Sequence, residues 1–148
     1  MINLRRLLFI FPVLMLMSCG NDDESPSNLI DVGPFKIDIP EGWQSVTAQG
    51  YDSYVASFLT SAGETISFDL GMYSSSLNVD NSTHDINFKT IDNKNAKIVV
   101  PKTSGQGTTG VFFESIDGNG SRFQMSGSNL SVTTQMQFLA AIETLKFR

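Results

Sequence analysis

Apolar and polar residues alternate with a period of two through most of the chain beyond residue 34, the pattern of half-buried β-strands. In residues 35–40, Phe35, Ile37 and Ile39 share a face while Lys36 and Asp38 point away. Residues 64–73 set Ile66, Phe68, Leu70 and Met72 inward against Thr65, Ser67 and Asp69. Residues 85–91 and 95–100 repeat the alternation more briefly, and residues 121–127 complete the series. Residues 54–59 and 110–116 are apolar on both faces, as expected of strands covered from both sides.

The segments between these strands read as hairpin turns. Residues 60–64, 92–95 and 117–120 are short and rich in Gly, Asn and Asp, which tolerate the positive φ of tight turns. Hairpin-linked strands pair antiparallel, so residues 54–127 are expected to form largely an antiparallel meander. One helix follows over residues 131–147. Val132, Met136, Leu139, Ile142 and Leu145 recur there at spacings of four and three and predict one apolar stripe lying across the sheet. Thr134 with Gln137 reads as a capping box, with Ser131 as the other residue able to open the helix. The sheet's second side also needs cover. Residues 40–53 and 74–84 are the stretches long enough to supply it, through short helical turns. The class is α+β: an antiparallel sheet of about six to seven strands in mostly meander order, with a C-terminal helix across one face.

In a simple meander, alternate connections share an end of the sheet. The three tight turns would then cluster at one end. The long connections 73–85 and 101–109, the helix start near 128–131, and residues 40–53 would lie at the other. Binding residues concentrate in long loops held by a rigid scaffold. That end would gather Trp43, Tyr51, Tyr73, His84 and Lys102, able to stack on a planar group and hydrogen-bond to it. The ordinary alternative is that Trp43 packs beneath its corner and the tyrosines cap the sheet.

Upstream the pattern changes. Arg5 and Arg6 precede an uninterrupted apolar run of eleven residues, Leu7–Met17. A transmembrane helix needs roughly 17–25 apolar residues, so the run reads as a secretory signal over residues 1–18. No A-x-A-like site follows it. Residues 16–19, Leu-Met-Ser-Cys, resemble instead a bacterial lipobox, in which the cysteine thiol takes a diacylglycerol and the chain is cut before it. Cys19 is the only cysteine, so no internal disulfide is open to it. It is expected to be a lipid anchor, two or three acyl chains contributing about 0.8 kcal/mol per buried CH₂. Residues 19–34 read as an acidic flexible tether and residues 35–148 as one domain. The triplet Asp22-Asp23-Glu24 is either a solvated spacer or similar to the acidic export signals of surface lipoproteins. Together these place the chain at the outer membrane of a Gram-negative bacterium, facing the periplasm or the cell surface.

Composition narrows the partners. Cleavage after residue 18 removes two arginines and no acid, leaving 8 basic and 15 acidic side chains and a net charge of −7. The few basic residues are spread along the chain, which argues against nucleic acid and leaves the acyl chains as the membrane contact. With no disulfide, folding rests on an apolar core, to which nine phenylalanines beyond the leader contribute.

Enzyme inventories fare poorly. One histidine, His84, excludes a two-His metal site, and no G-x-S-x-G elbow presents a serine. Asp80, Ser82 and Asp85 share a loop but lack the glycine and terminal Glu of a calcium-binding EF-hand. Residues 104–110 lack the lysine of a phosphate loop. No catalytic residue, cofactor or metal is assigned.

Residues 35–43, Phe-Lys-Ile-Asp-Ile-Pro-Glu-Gly-Trp, resemble the opening strand and Pro-x-x-Trp corner of PsbP-like domains. Residues 139–147, Leu-Ala-Ala-Ile-Glu-Thr-Leu-Lys-Phe, resemble that family's ending, a helix running into a short final strand. The resemblance implies a sheet with helices on both faces, an α/β/α sandwich, and a kinship with small bacterial lipoproteins of unknown role. It supplies no site residue. The function expected is a non-catalytic binding or accessory domain serving an envelope protein or a small ligand. The alternatives are a hydrolase using loop carboxylates or His84, and an assembly subunit that docks a partner through a sheet edge.

Overall fold

The structure is a computed structural model that describes residues 28–48, 50 and 52–148. The expected leader, Cys19 and Tyr51 lie outside the described residues. Among the described residues ten strands and one helix follow one another: β1 Asn28–Asp31, β2 Phe35–Ile39, β3 Gln44–Thr47, β4 Tyr54–Leu59, β5 Thr65–Gly71, β6 His84–Ile91, β7 Lys94–Pro101, β8 Thr108–Phe113, β9 Arg122–Ser128, α1 Val132–Glu143 and β10 Lys146–Phe147. Seven strands form an antiparallel sheet in the order β3-β4-β5-β9-β8-β7-β6, and β1-β2-β10 form a second, small sheet. The class is α+β.

The aromatic content explains why the layers stay together. Phe35 on β2 meets Phe68 of β5 and Phe123 of β9 edge-on, at 5.0 and 4.9 Å between ring centres. Phe147 on β10 does the same with Phe113 and Phe123, at 5.0 and 5.2 Å. Edge-to-face pairs add about 0.5–1.5 kcal/mol beyond area burial. Phe138, Ala141 and Ile142 of α1 and then Leu145 complete this core. The Thr144 hydroxyl accepts from the Asp38 amide at 2.8 Å, and Asp92 accepts from the Phe147 amide at 2.9 Å, so the small sheet is tied to helix and hairpin alike.

The opposite face is covered differently. β5 ends beside Arg122 and β6 begins beside Pro101, at the other end of the sheet. Residues 72–83 therefore run back across that face instead of closing a hairpin. Leu77 packs there on Val99 and Phe112, with Val79 and Ile86 around them. A Cβ on Gly110 would lie 2.9 Å from a Leu77 methyl and 2.7 Å from the Met125 carbonyl, so only glycine lets this strap close down. Lys97 fastens it, its ammonium donating to the carbonyls of Ser76 and Leu77 at 3.0 Å each.

Several expectations are corrected. The pairing is mostly meander, but β5 takes β9 as its neighbour rather than β6, so the turn at 60–64 lies at the opposite end from those at 92–95 and 117–120. Among the described residues α1 is the one helix, and the second face is covered by irregular backbone, not by helical turns. Residues 40–53 contribute edge strand β3, Gln44–Thr47, whose side chains are exposed, and place Trp43 in the core rather than over the second face. The helical stripe is out of phase: Thr134, Phe138, Ala141 and Ile142 are buried, while Val132 and Met136 are 60% and 66% exposed. Ser131 is the cap, its hydroxyl accepting from the Thr134 amide, and no Thr134–Gln137 box forms. Residues 28–31, expected within the tether, form β1, which pairs antiparallel with Lys36–Ile39 of β2. Met72, expected inward, lies beyond the end of β5 and is exposed.

Candidate functional site

The strap and edge strand β6 enclose an open groove of about 550 Å³. Its walls are Asn81, His84, Asp85, Ile86, Phe88, Lys97 and Lys102. A smaller, more enclosed hollow of about 300 Å³ shares Phe88 and Lys97 with it and extends to Phe112 and Glu114. The strand period builds the floor: Ile86 and Phe88 alternate with Asp85, Asn87 and Lys89, while Ile91 turns into the core. Phe88 is 75% exposed, a large aromatic left uncovered beside two ammonium groups.

His84 closes one end. Its Nε2 accepts from the Thr108 amide at 3.1 Å, which assigns the proton to Nδ1, 2.8 Å from the Thr83 hydroxyl. That hydroxyl in turn donates to the Asp80 carbonyl at 3.0 Å. Both ring nitrogens are thus engaged, and His84 joins the start of β6 to the start of β8. Gly107 leaves room for the ring; a Cβ there would approach Nε2 to 2.7 Å, and φ is +101°. The Lys102 ammonium donates to the Asn81 carbonyl at 2.6 Å, and its amide donates to the Thr83 carbonyl at 2.9 Å. Asp80 accepts from the Ser82 amide at 2.7 Å in a tight local turn. The Ser82 hydrogen bonds, backbone before side chain, hold its carboxyl below the ordinary 3.8, and the positive charge of Lys102 adds to them.

Of the five residues expected to share one end, the structure brings His84 and Lys102 together. Trp43 is 4% exposed and packs in the core, its indole N–H without a hydrogen-bond partner among the described residues. Tyr73 is 84% exposed and follows β5 at the far end of the sheet. The physical reason is the strap: residues 72–83 begin at one end and finish at the other, so Tyr73 and His84 are separated although one loop holds both. Phe88, Lys97, Ile86 and Asn81 were not anticipated. The first and third could have been found, because Ile86 and Phe88 share a parity that Ile91 breaks. Lys97 and Asn81 depend on where the strap lands, which no local pattern encodes.

Among the described residues no three of His, Cys, Asp and Glu gather closely enough to hold a metal ion. No helix among them is long and apolar enough to cross a membrane. The two carboxyls with lowered pKa besides Asp80 cap local structure. Burial acts to raise that of Glu64, but hydrogen bonds from Thr134 and Ser131 prevail and lower it from 4.5; Ser121 and Asn119 lower that of Asp117 from 3.8.

The arrangement of sheet, helix and closing strand gives the chain an α+β fold similar to that of PsbP. The solution structure of cyanobacterial PsbP (CyanoP) from Synechocystis sp. PCC 6803 is similar to it, with a TM-score of 0.50 and 12% sequence identity, covering 90% of this chain and 99% of that one. No family profile and no curated protein sequence matches the chain.

Proposed function

We propose that this chain is a lipid-anchored, non-catalytic accessory domain of the bacterial cell envelope, held by acyl chains on Cys19 and offering the groove beside β6 to an envelope protein or a small ligand. The observation that carries the non-catalytic reading is the engagement of the polar groups at the groove. His84 joins β6 to β8 through Nε2 and engages the Thr83 hydroxyl through Nδ1, and Lys97 and Lys102 donate to carbonyls of the strap. A general base needs a free lone pair within reach of its proton, and Nε2 has none to give while Thr108 holds it. What the groove leaves open is Phe88 with Ile86 beneath a rim of cations, a surface suited to an amphipathic partner. The PsbP-like fold supports an accessory role, and the Leu-Met-Ser-Cys sequence after a short apolar run supports the anchor and the outer-membrane address.

Metabolic labelling of cells with an alkynyl fatty acid tests this reading. The parent chain takes up the label and Cys19→Ser does not; an unlabelled parent overturns the anchor and the compartment with it. Turnover of ester or glycoside substrates that disappears in His84→Ala would replace the accessory role by a hydrolase.

A further inference from the structure

The β6 edge carries information that neither the groove nor the anchor uses. β6 is eight residues long, ends the sheet, and has no strand on its outer side among the described residues. Which of its backbone groups are free follows from two observations. The Thr83 carbonyl accepts from the Lys102 amide at 2.9 Å, and the β6–β7 hairpin closes through two residues of positive φ, Asp92 at 48° and Asn93 at 58°. A two-residue turn of this kind is flanked by a hydrogen-bonded pair, here Ile91 and Lys94. Hydrogen-bonded and non-bonded pairs alternate along an antiparallel ladder. Asp85, Asn87, Lys89 and Ile91 therefore bond to β7, and Ile86, Phe88 and Thr90 direct their N–H and C=O groups outward, while the His84 N–H donates to the Asp80 carbonyl at 2.9 Å.

We infer that β6 pairs with β6 of a second copy of this chain, antiparallel about a two-fold axis at Asn87, to form a homodimer with one continuous sheet. A two-fold ladder that bonds the outward-facing groups must centre on a residue, and the residue chosen decides the neighbours. Centring at Asn87 sets Ile86 beside Phe88 of the second copy on the groove face, twice. On the other face it sets Asp85 beside Lys89 of the second copy, also twice, with Asn87 against Asn87. Aromatic–branched and opposite-charge cross-strand pairs each contribute about 0.2–1 kcal/mol, and the ion pairs fall at non-hydrogen-bonded positions, where side chains approach closest.

Other centres lose this match. At Ile86, Asp85 would face Asn87; at Phe88, Lys89 would face Asn87. A lysine on an edge ordinarily discourages pairing. Here the Lys89 ammonium is already drawn 2.5 Å from Glu143 of α1, on the helix side of the sheet, where Asp85 of the second copy would join it. The arrangement also covers Phe88 and sets two grooves side by side on one face. It depends neither on lipidation nor on what the groove binds.

Charge reversal tests the register in the full chain, with association measured by sedimentation in detergent. Asp85→Lys alone and Lys89→Asp alone are each expected to weaken dimerisation roughly tenfold or more, two attractive pairs becoming repulsive. Asp85→Lys/Lys89→Asp in one chain restores the dimer. An equimolar mixture of the two single variants forms a mixed dimer, because every pair is again opposite in sign. In membranes, Asn87→Cys gives an oxidised dimer band, whereas Ser115→Cys and the parent with Cys19 alone do not. A parent chain that is monomeric at the highest concentration tested overturns the inference. So does a double reversal that fails to restore association while circular dichroism reports a folded chain, or an Asn87→Cys that cross-links no faster than Ser115→Cys.

Discussion

At the scale of single residues, the fold depends on side chains that reach between elements far apart in sequence. Glu64, from the β4–β5 turn, accepts from the Ser131 amide at 2.5 Å and from the hydroxyls of Ser131 and Thr134, so a hairpin carboxylate satisfies the first turn of the helix. Its pKa is lowered in the folded chain. A carboxyl depressed by folding contributes stability above its unfolded pKa and loses it as pH falls through the folded one. Glu64→Gln is therefore expected to unfold at lower denaturant than the parent at pH 7. The difference should shrink as pH drops below about 4.5, as urea titrations at stepped pH would read. Gly110 acts by absence. Gly110→Ala puts a methyl into the path of Leu77 and the Met125 carbonyl and should destabilise by about 1–3 kcal/mol, the usual range for overpacking. Equilibrium unfolding measures that loss, and a neutral result would mean that the strap does not lie where described.

At the scale of elements, the helix shows what a sequence pattern can and cannot decide. Its existence and its closing strand were legible, because the apolar recurrence over 132–145 and the Lys146-Phe147 ending were both in view. Its phase was not. Two stripes are available on this helix, Val132–Met136–Leu139 and Thr134–Phe138–Ala141, and both run into Ile142 and Leu145. The first is the more apolar in sequence, yet Phe138 is the residue buried against the sheet. Burial of one large ring and a close-packed alanine outweighs leaving Val132 and Met136 in solvent. Phe138→Ala should cost about 3–5 kcal/mol, whereas Met136→Ala should stay within about 0.5; thermal unfolding of the pair distinguishes the two phases. β1 and β3 escaped detection for a different reason. Four residues with mostly exposed side chains leave no alternation to read, and their pairing is set by β2 and β4.

At the scale of the whole molecule, strand identity was largely legible and strand order was not. The central strands announce themselves by alternation and turn chemistry, which are local. The choice of β9 over β6 as the neighbour of β5 is made by the strap, which carries few apolar residues and no periodicity. That one choice relocated the candidate site: it parted Tyr73 from His84, and it left β6 rather than a buried strand at the margin of the sheet.

The same connection has a consequence for how the chain acquires its shape. Strands β3 to β5 and strands β6 to β9 are each joined by near-neighbour hairpins, which form quickly because little chain must be looped. The seam between them, Gly71 against Arg122, encloses roughly fifty residues and bears the larger closure entropy. The topology therefore predicts that the two ribbons form first and meet late, Phe68 and Phe123 joining under Phe35 last, so substitutions at the seam should speed unfolding more than they slow folding.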